Sequence, residues 1–162
     1  MKIDKILTTN RTFVISEGKS KKRLLENASQ QFARMFPELD SSDLFERLIA
    51  RERLGSTAIG DGVAIPHCRI RHCREILGML ILLEDDVDFD AIDDENVNLL
   101  FILLVPMEST HEHLETLARL SNLFGDADYC SLLRSATDAE ELFKLAIECP
   151  DIDKISRGVS PD

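Results

Sequence analysis

The residues best suited to chemistry in this chain are an imidazole and the groups written close to it. His67 closes the short apolar run Val63-Ala64-Ile65-Pro66, and the segment 51–69 reads RERLGSTAIGDGVAIPHCR. Arg51 and Arg69 flank it, and Gly60 and Gly62 punctuate the turn before it. The four histidines fall into two clusters, His67 with His72 and His111 with His113. Each cluster lies at or just after an apolar run, where the side chains of an open α/β sheet gather into sites.

An imidazole is a free base near neutral pH, so it can act as a nucleophile toward phosphorus without prior activation. Phosphoryl transfer demands mostly positioning and charge neutralisation, because the group passes through a loose transition state. One ring nitrogen must point at the donor, and an acceptor must hold the other so that the tautomer is fixed. Guanidinium groups and backbone N–H groups suit the phosphoryl oxygens. Segment 51–69 offers these parts: Arg51 and Arg69 for charge, Gly60 and Gly62 for close backbone approach, and Pro66 to stiffen the strand exit.

The elements that must position these groups follow from periodicity. Residues 12–15 read as a strand. Helical spacing runs over 20–36, with Leu24, Ala28, Phe32 and Met35 on one face, and Pro37 ends it. A second helix spans 41–54, capped by Asp40 or Ser41 and closed by Gly55, with Leu44, Leu48 and Ala50 or Arg51 on its buried side. A Gly- and Ser-rich turn leads into a strand at 63–65. The continuous apolar runs 76–83 and 97–105 suit central strands covered on both faces, with a short strand or bulge at 87–91 between them. A third helix spans 110–124, with Leu114, Leu117, Leu120 and Phe124 inward. A short helix covers 127–135, and a last one covers 138–147 with Thr137 and Glu140 at capping-box spacing. Helices and strands alternate, so the fold class is α/β: one domain over 1–149, a mixed β-sheet flanked by helices on both faces, and a polar, frayed tail over 150–162.

Composition narrows the partners. The 162 residues include 19 basic and 30 acidic ones, a net charge of −11. That disfavours nucleic acid, which needs clustered Lys and Arg, and disfavours an anionic membrane surface. It favours a partner with a basic face. No apolar run approaches the roughly 20 residues of a membrane helix, and no signal-like segment opens the chain; a cytoplasmic protein is expected. Cys68, Cys73, Cys130 and Cys149 form no CxxC pair and read as free thiols.

The motifs together resemble the signature of the IIA proteins of the bacterial phosphotransferase system, in the fructose, mannitol and nitrogen-regulatory branch. The matching residues are Arg51-Glu52, Gly55-Ser56-Thr57, Ile59-Gly60 and Gly62-Val63-Ala64-Ile65-Pro66-His67. Asp88-Phe89-Asp90-Ala91-Ile92-Asp93, Leu103-Leu104-Val105-Pro106, His113-Leu114 and Leu117-Ala118 follow in order, and the likeness runs from about residue 3 to 147. The resemblance implies that His67 is the phosphorylated histidine and that His113 is a second active-site histidine beside it. It implies that Arg51 lies beside the phosphate and Thr57 supplies a hydroxyl near it. It implies a phosphorylated HPr-like carrier as donor, regulatory target proteins as partners, and no cofactor or metal. The pattern GSTxIGxGxAIPH is closest to the nitrogen-regulatory type. A sugar-specific IIA that passes its phosphate to a separate IIB domain is the alternative, and a phosphorylation-independent interaction module the third reading.

The chain departs from the family pattern at Ala58 and at Cys68, both positions where glycine is common. A thiol directly after His67 raises the prospect of an oxidation-sensitive site. His111 reads as an extra surface histidine. The runs Glu84-Asp85-Asp86 and Asp93-Asp94-Glu95 are by default solvated, with the sharper alternative that they rim the site and meet a basic donor. A zinc site built from His67, Cys68, His72, Cys73, His111 and His113 is disfavoured, because neighbouring residues of a strand face opposite ways. A hydrolase using Ser56, Thr57 or a cysteine lacks the nucleophile elbow.

Overall fold

In the computed structural model, residues 2–16, 20–109 and 111–148 are described. The expected tail 150–162, Cys149 and the expected helix start at Thr110 lie outside them. Two short 3-10 turns, Ile3–Lys5 and Thr9–Arg11, lead into strand β1 (Thr12–Ile15). Helices α1 (Lys21–Met35) and α2 (Ser41–Leu54) follow, then β2 (Ala58–Gly60), β3 (Val63–Ala64), β4 (His67–Ile70), β5 (Leu77–Val87) and β6 (Val97–Pro106). Helices α3 (His111–Phe124), α4 (Ala127–Arg134) and α5 (Ala139–Ile147) complete the described chain.

The strands form one mixed sheet in the order β1-β5-β6-β3-β2, with β4 also paired to β6. The long strands β5 and β6 run antiparallel, while β1 lies parallel to β5 and both β3 and β4 lie parallel to β6. Alternate residues of β6 serve the two faces. Leu99, Phe101, Leu103 and Val105 pack with Leu120, Leu123, Leu133 and Leu142 of α3, α4 and α5. Leu100, Ile102 and Leu104 pack with Leu24, Phe32, Leu44 and Leu48 of α1 and α2. A strand so covered must be apolar on both sides, which explains the uninterrupted run. The fold matches the expected mixed sheet with helices on both faces.

Four details differ from the expectations. Residues 58–60 are a strand rather than a turn, pairing antiparallel with β3. The tight turn between them is made by Asp61 (φ 55°) and Gly62 (φ 79°); glycine adopts such left-handed backbone without a Cβ clash. The chain does not leave the sheet at His67. Pro66 interrupts the ladder and the strand resumes as β4, in register with β6 from His67 opposite Leu103 to Ile70 opposite Pro106. In α3 the inward set is shifted: His113, Thr116, Leu120, Leu123 and Phe124 are buried and Leu114 is 63% exposed. The last helix is capped one residue later than the spacing suggested, by Asp138, whose side chain accepts from the Glu141 N–H. The β5–β6 register shifts between Leu82 and Val87, ahead of the stretch 87–91; Val87 ends β5 opposite Val97, and Phe89 then drops into the core.

Candidate functional site

His67 opens β4 and is only 9% exposed. Its Nδ1 lies 2.8 Å from the Ile65 carbonyl oxygen. A carbonyl only accepts, so Nδ1 carries the proton and Nε2 keeps its lone pair. Arg51, in the last turn of α2, donates its Nε–H to that Nε2 at 3.3 Å and its Nη1–H to the Gly55 carbonyl at 2.9 Å. His113, in the first turn of α3, stands edge-on to His67, with ring centroids 5.6 Å apart and planes at 77°. It is 8% exposed, and its Nδ1 has no hydrogen-bond partner among the described residues. An unpartnered buried ring nitrogen is costly unless something is meant to meet it.

Burial pushes the His67 pKa below its ordinary value; the Ile65 carbonyl opposes this, Arg51 adds to it and Glu52 opposes it. Burial also lowers His113, with His67 and Arg69 acting the same way. Both rings are therefore held toward the neutral form, which leaves a nucleophilic lone pair at Nε2. Arg69 is exposed, two residues along β4 from His67, and strand alternation places it on the same face.

The site is a seam. Arg51 comes from the α1–α2 layer, His113 from the α3–α5 layer, and they meet at β4, which pairs only with β6 among the described strands. Beneath Arg51 lies a residue to which the sequence assigned no role. Glu52 is buried, and its carboxylate accepts from both the backbone N–H of Thr57 (3.3 Å) and the Thr57 hydroxyl. Lys21, from the start of α1, sits 2.8 Å from it. The signal was present: Leu44, Leu48 and Glu52 recur at every fourth position, one buried stripe on α2. The same stripe excludes Ala50, which is exposed.

Thr57 is buried, with its hydroxyl proton committed to Glu52. Gly60 and Gly62 do not cradle the site. Gly62 accepts from the N–H groups of Asn98 and Leu99, whereas His67 pairs with Leu103. Four to five residues of strand separate them, about 15 Å. There Arg134 donates to the Asp61 carbonyl at 2.6 Å and to Asn98 at 3.0 Å, tying the turn to α4. Cys68 faces the other way from His67, into the α1–α2 core, and burial pushes its thiol up to about 12. That argues against an oxidation-sensitive thiol at the site, since the reactive form is the thiolate. His72 and His111 are exposed. Among the described residues the grouping with metal-like spacing is Asp61, Asp93 and Glu95, all exposed and at the far turn rather than beside His67.

Comparisons by sequence and by fold place this chain among known proteins. The nitrogen regulatory protein of Pseudomonas aeruginosa is 45% identical over 148 residues, covering 91% of this chain and 96% of that one. The crystal structure of the nitrogen regulatory protein IIA-Ntr from Neisseria meningitidis superposes with a TM-score of 0.80 at 40% identity, covering 89% of this chain and 98% of that one. The IIA mannitol protein of Escherichia coli shares the fold with a TM-score of 0.67 at 18% identity, over 86% of this chain and 98% of that one. The profile of the family described as the phosphoenolpyruvate-dependent sugar phosphotransferase system, EIIA 2, matches residues 5–148. With the buried histidine pair at the seam and a match over nearly the whole chain, this protein belongs to the EIIA 2 family of that phosphotransferase system.

Proposed function

We propose that the protein is a phosphocarrier of the nitrogen-regulatory type. His67 accepts a phosphoryl group from a phosphorylated HPr-like carrier protein, and the phosphorylation state governs binding to regulatory target proteins. The observation that carries this reading is the His67 ring itself: Nδ1 tied to the Ile65 carbonyl and Nε2 left with its lone pair under Arg51. In the transfer, the Nε2 lone pair forms the new N–P bond while the donor's bond to phosphorus breaks and its electron pair leaves with the donor. The Nδ1 proton stays in place. Arg51 turns from Nε2 to the phosphoryl oxygens, and His113 offers a ring N–H to the same oxygens, a partner for its otherwise unsatisfied nitrogen. Thr57 acts by holding the β2 entry rather than by donating to phosphate, because its proton is already given to Glu52.

The nitrogen-regulatory reading is supported over the sugar-specific one by the relatives' names at 45% and 40% identity, against 18% for the mannitol protein. A cytoplasmic setting accords with this reading, and among the described residues no helix is long and apolar enough to cross a membrane.

Phosphotransfer from a phosphorylated HPr-like donor tests the assignment. An acid-labile, alkali-stable label is expected on the wild type. It should be absent from His67→Ala and slowed by about 100-fold in His113→Ala, the range for losing one electrostatic partner of a transferring group. Label retained by His67→Ala refutes the site.

A further inference from the structure

The geometry points to Glu52, held by Lys21, as a positioning residue that selects which ring nitrogen of His67 takes the phosphoryl group. This rests on the phosphocarrier reading of His67 and goes beyond it to a residue three hydrogen-bond links removed from the His67 ring.

The links form a continuous ladder. The Glu52 carboxylate accepts from the N–H and hydroxyl of Thr57. The Thr57 carbonyl accepts from the Ile65 N–H at 3.0 Å. The Ile65 carbonyl accepts from His67 Nδ1–H at 2.8 Å. Every backbone and side-chain polar group of Thr57 is thereby used, and the Ile65 peptide is held from both sides. Its carbonyl direction dictates the His67 tautomer, and the tautomer dictates that the lone pair sits on Nε2.

Glu52 is an expensive choice for its position. It continues the apolar stripe Leu44–Leu48, and its side chain is 4% exposed. A leucine there would bury α2 without desolvating a charge. The charge is instead neutralised by Lys21, whose Nζ also lies over the Phe89 ring at 5.1 Å and within 3.5 Å of the Phe89 carbonyl. Ser56 donates to that same carbonyl at 2.6 Å. Three segments, the start of α1, the end of α2 and the loop after β5, thus fix one carboxylate. Only an ionised carboxylate offers enough acceptors for two Thr57 donors and an ammonium at once.

In the transfer step the Nε2 lone pair forms the bond to phosphorus, the donor leaves with the electron pair of its own bond, and the proton remains on Nδ1, donated to the Ile65 carbonyl. If the ladder is cut, the ring can turn or exchange tautomer, and Nδ1 can present a lone pair instead.

The test uses the whole chain and a small phosphodonor, phosphoramidate, so that carrier docking plays no part. Glu52→Gln keeps the shape but offers one acceptor oxygen where two donors need it. Thr57→Val removes only the hydroxyl. Nitrogen-15 spectra of the unphosphorylated proteins report the His67 tautomer, and phosphorus-31 with nitrogen-15 spectra of the labelled proteins report the isomer. The wild type should show one tautomer, protonated at Nδ1, and label at Nε2 alone. Folded Glu52→Gln should show both tautomers, label divided between the nitrogens, and an initial rate lower by about tenfold, a modest fraction of what ångström-scale misplacement costs. A folded Glu52→Gln with a single tautomer and Nε2 label at the wild-type rate overturns the proposal. If that variant does not fold, Thr57→Val decides by the same readouts. If the wild type takes no label from phosphoramidate or from a phosphorylated HPr-like donor, the phosphocarrier reading falls, while the tautomer comparison still decides the role of Glu52.

Discussion

Arg51 and the two buried imidazoles work against protonation together. Burial is the leading cause for both rings, and His113 is further lowered by His67 and Arg69. The sign for stability follows directly. The unfolded chain binds protons at these histidines at a higher pH than the folded one, so the folded state gains stability as pH rises through that interval. The contribution is complete above the ordinary histidine pKa of about 6.5 and is lost as pH falls below it toward the depressed folded values. We expect the melting temperature to drop between pH 7 and pH 5, and to drop less in His67→Asn, whose side chain does not titrate. The rate of labelling by phosphoramidate should stay level down to about pH 6.5, since Nε2 is still unprotonated there. A labelling rate that already halves between pH 8 and 7 contradicts the depressed pKa. At this scale the sequence was most legible where chemistry and spacing coincided. His67, Arg51 and His113 meet as expected, but Glu52 did not announce itself, because a glutamate near a helix end reads as a solvated charge until its fourfold spacing from Leu44 and Leu48 is noticed.

The strands and helices show which patterns speak for themselves and which depend on neighbours. Continuous apolar runs gave β5 and β6 because a strand covered on both faces has no polar side to show. β2 was hidden because Ala58-Ile59-Gly60 lacks alternation and exists only by pairing with β3. Leu114 was expected inside because it is a leucine in a helical repeat, yet the helix turns His113 and Thr116 inward to complete the site face. The same logic identifies a tight spot remote from the chemistry. At Gly78 of β5 a Cβ would lie 2.4 Å from Phe101 Cζ and 3.0 Å from the Ile6 carbonyl oxygen. Gly78→Ala should therefore destabilise the fold by about 1–3 kcal/mol, the usual cost of overpacking a filled core, while folded protein keeps its labelling of His67. Urea unfolding with an unchanged midpoint would show that the sheet relaxes around the added methyl.

Taken as a whole, the molecule separates its net charge from its chemistry. The acidic runs 84–86 and 93–95 lie where β5 and β6 pair near Leu99 and Val97, and where Asp93 accepts from the Asp61 N–H. His67 pairs with Leu103, four to six residues further along β6, about 15–20 Å away. The runs do not rim the site, and that distance exceeds the screening length of about 8 Å at physiological salt. Reversing Asp93, Asp94 and Glu95 to lysine should change phosphoryl uptake from a carrier by less than about twofold at that ionic strength; a loss of tenfold would put the donor's footprint over the turn. The −11 net charge, read from the sequence as a guide to the donor's face, thus describes other parts of the surface. The seam at β4 has a different reach. If His67 carries the phosphoryl group as proposed, the two helical layers contribute Arg51 and His113 to one phosphate position, and a target that grips either layer more firmly in one state acts on the phosphate itself. Reciprocity requires that its preference and the change it makes in the phosphoryl group's transfer potential be the same factor. A bound target is then also a load on the relay, setting how readily the upstream donor can fill His67 and how readily it can draw the group back.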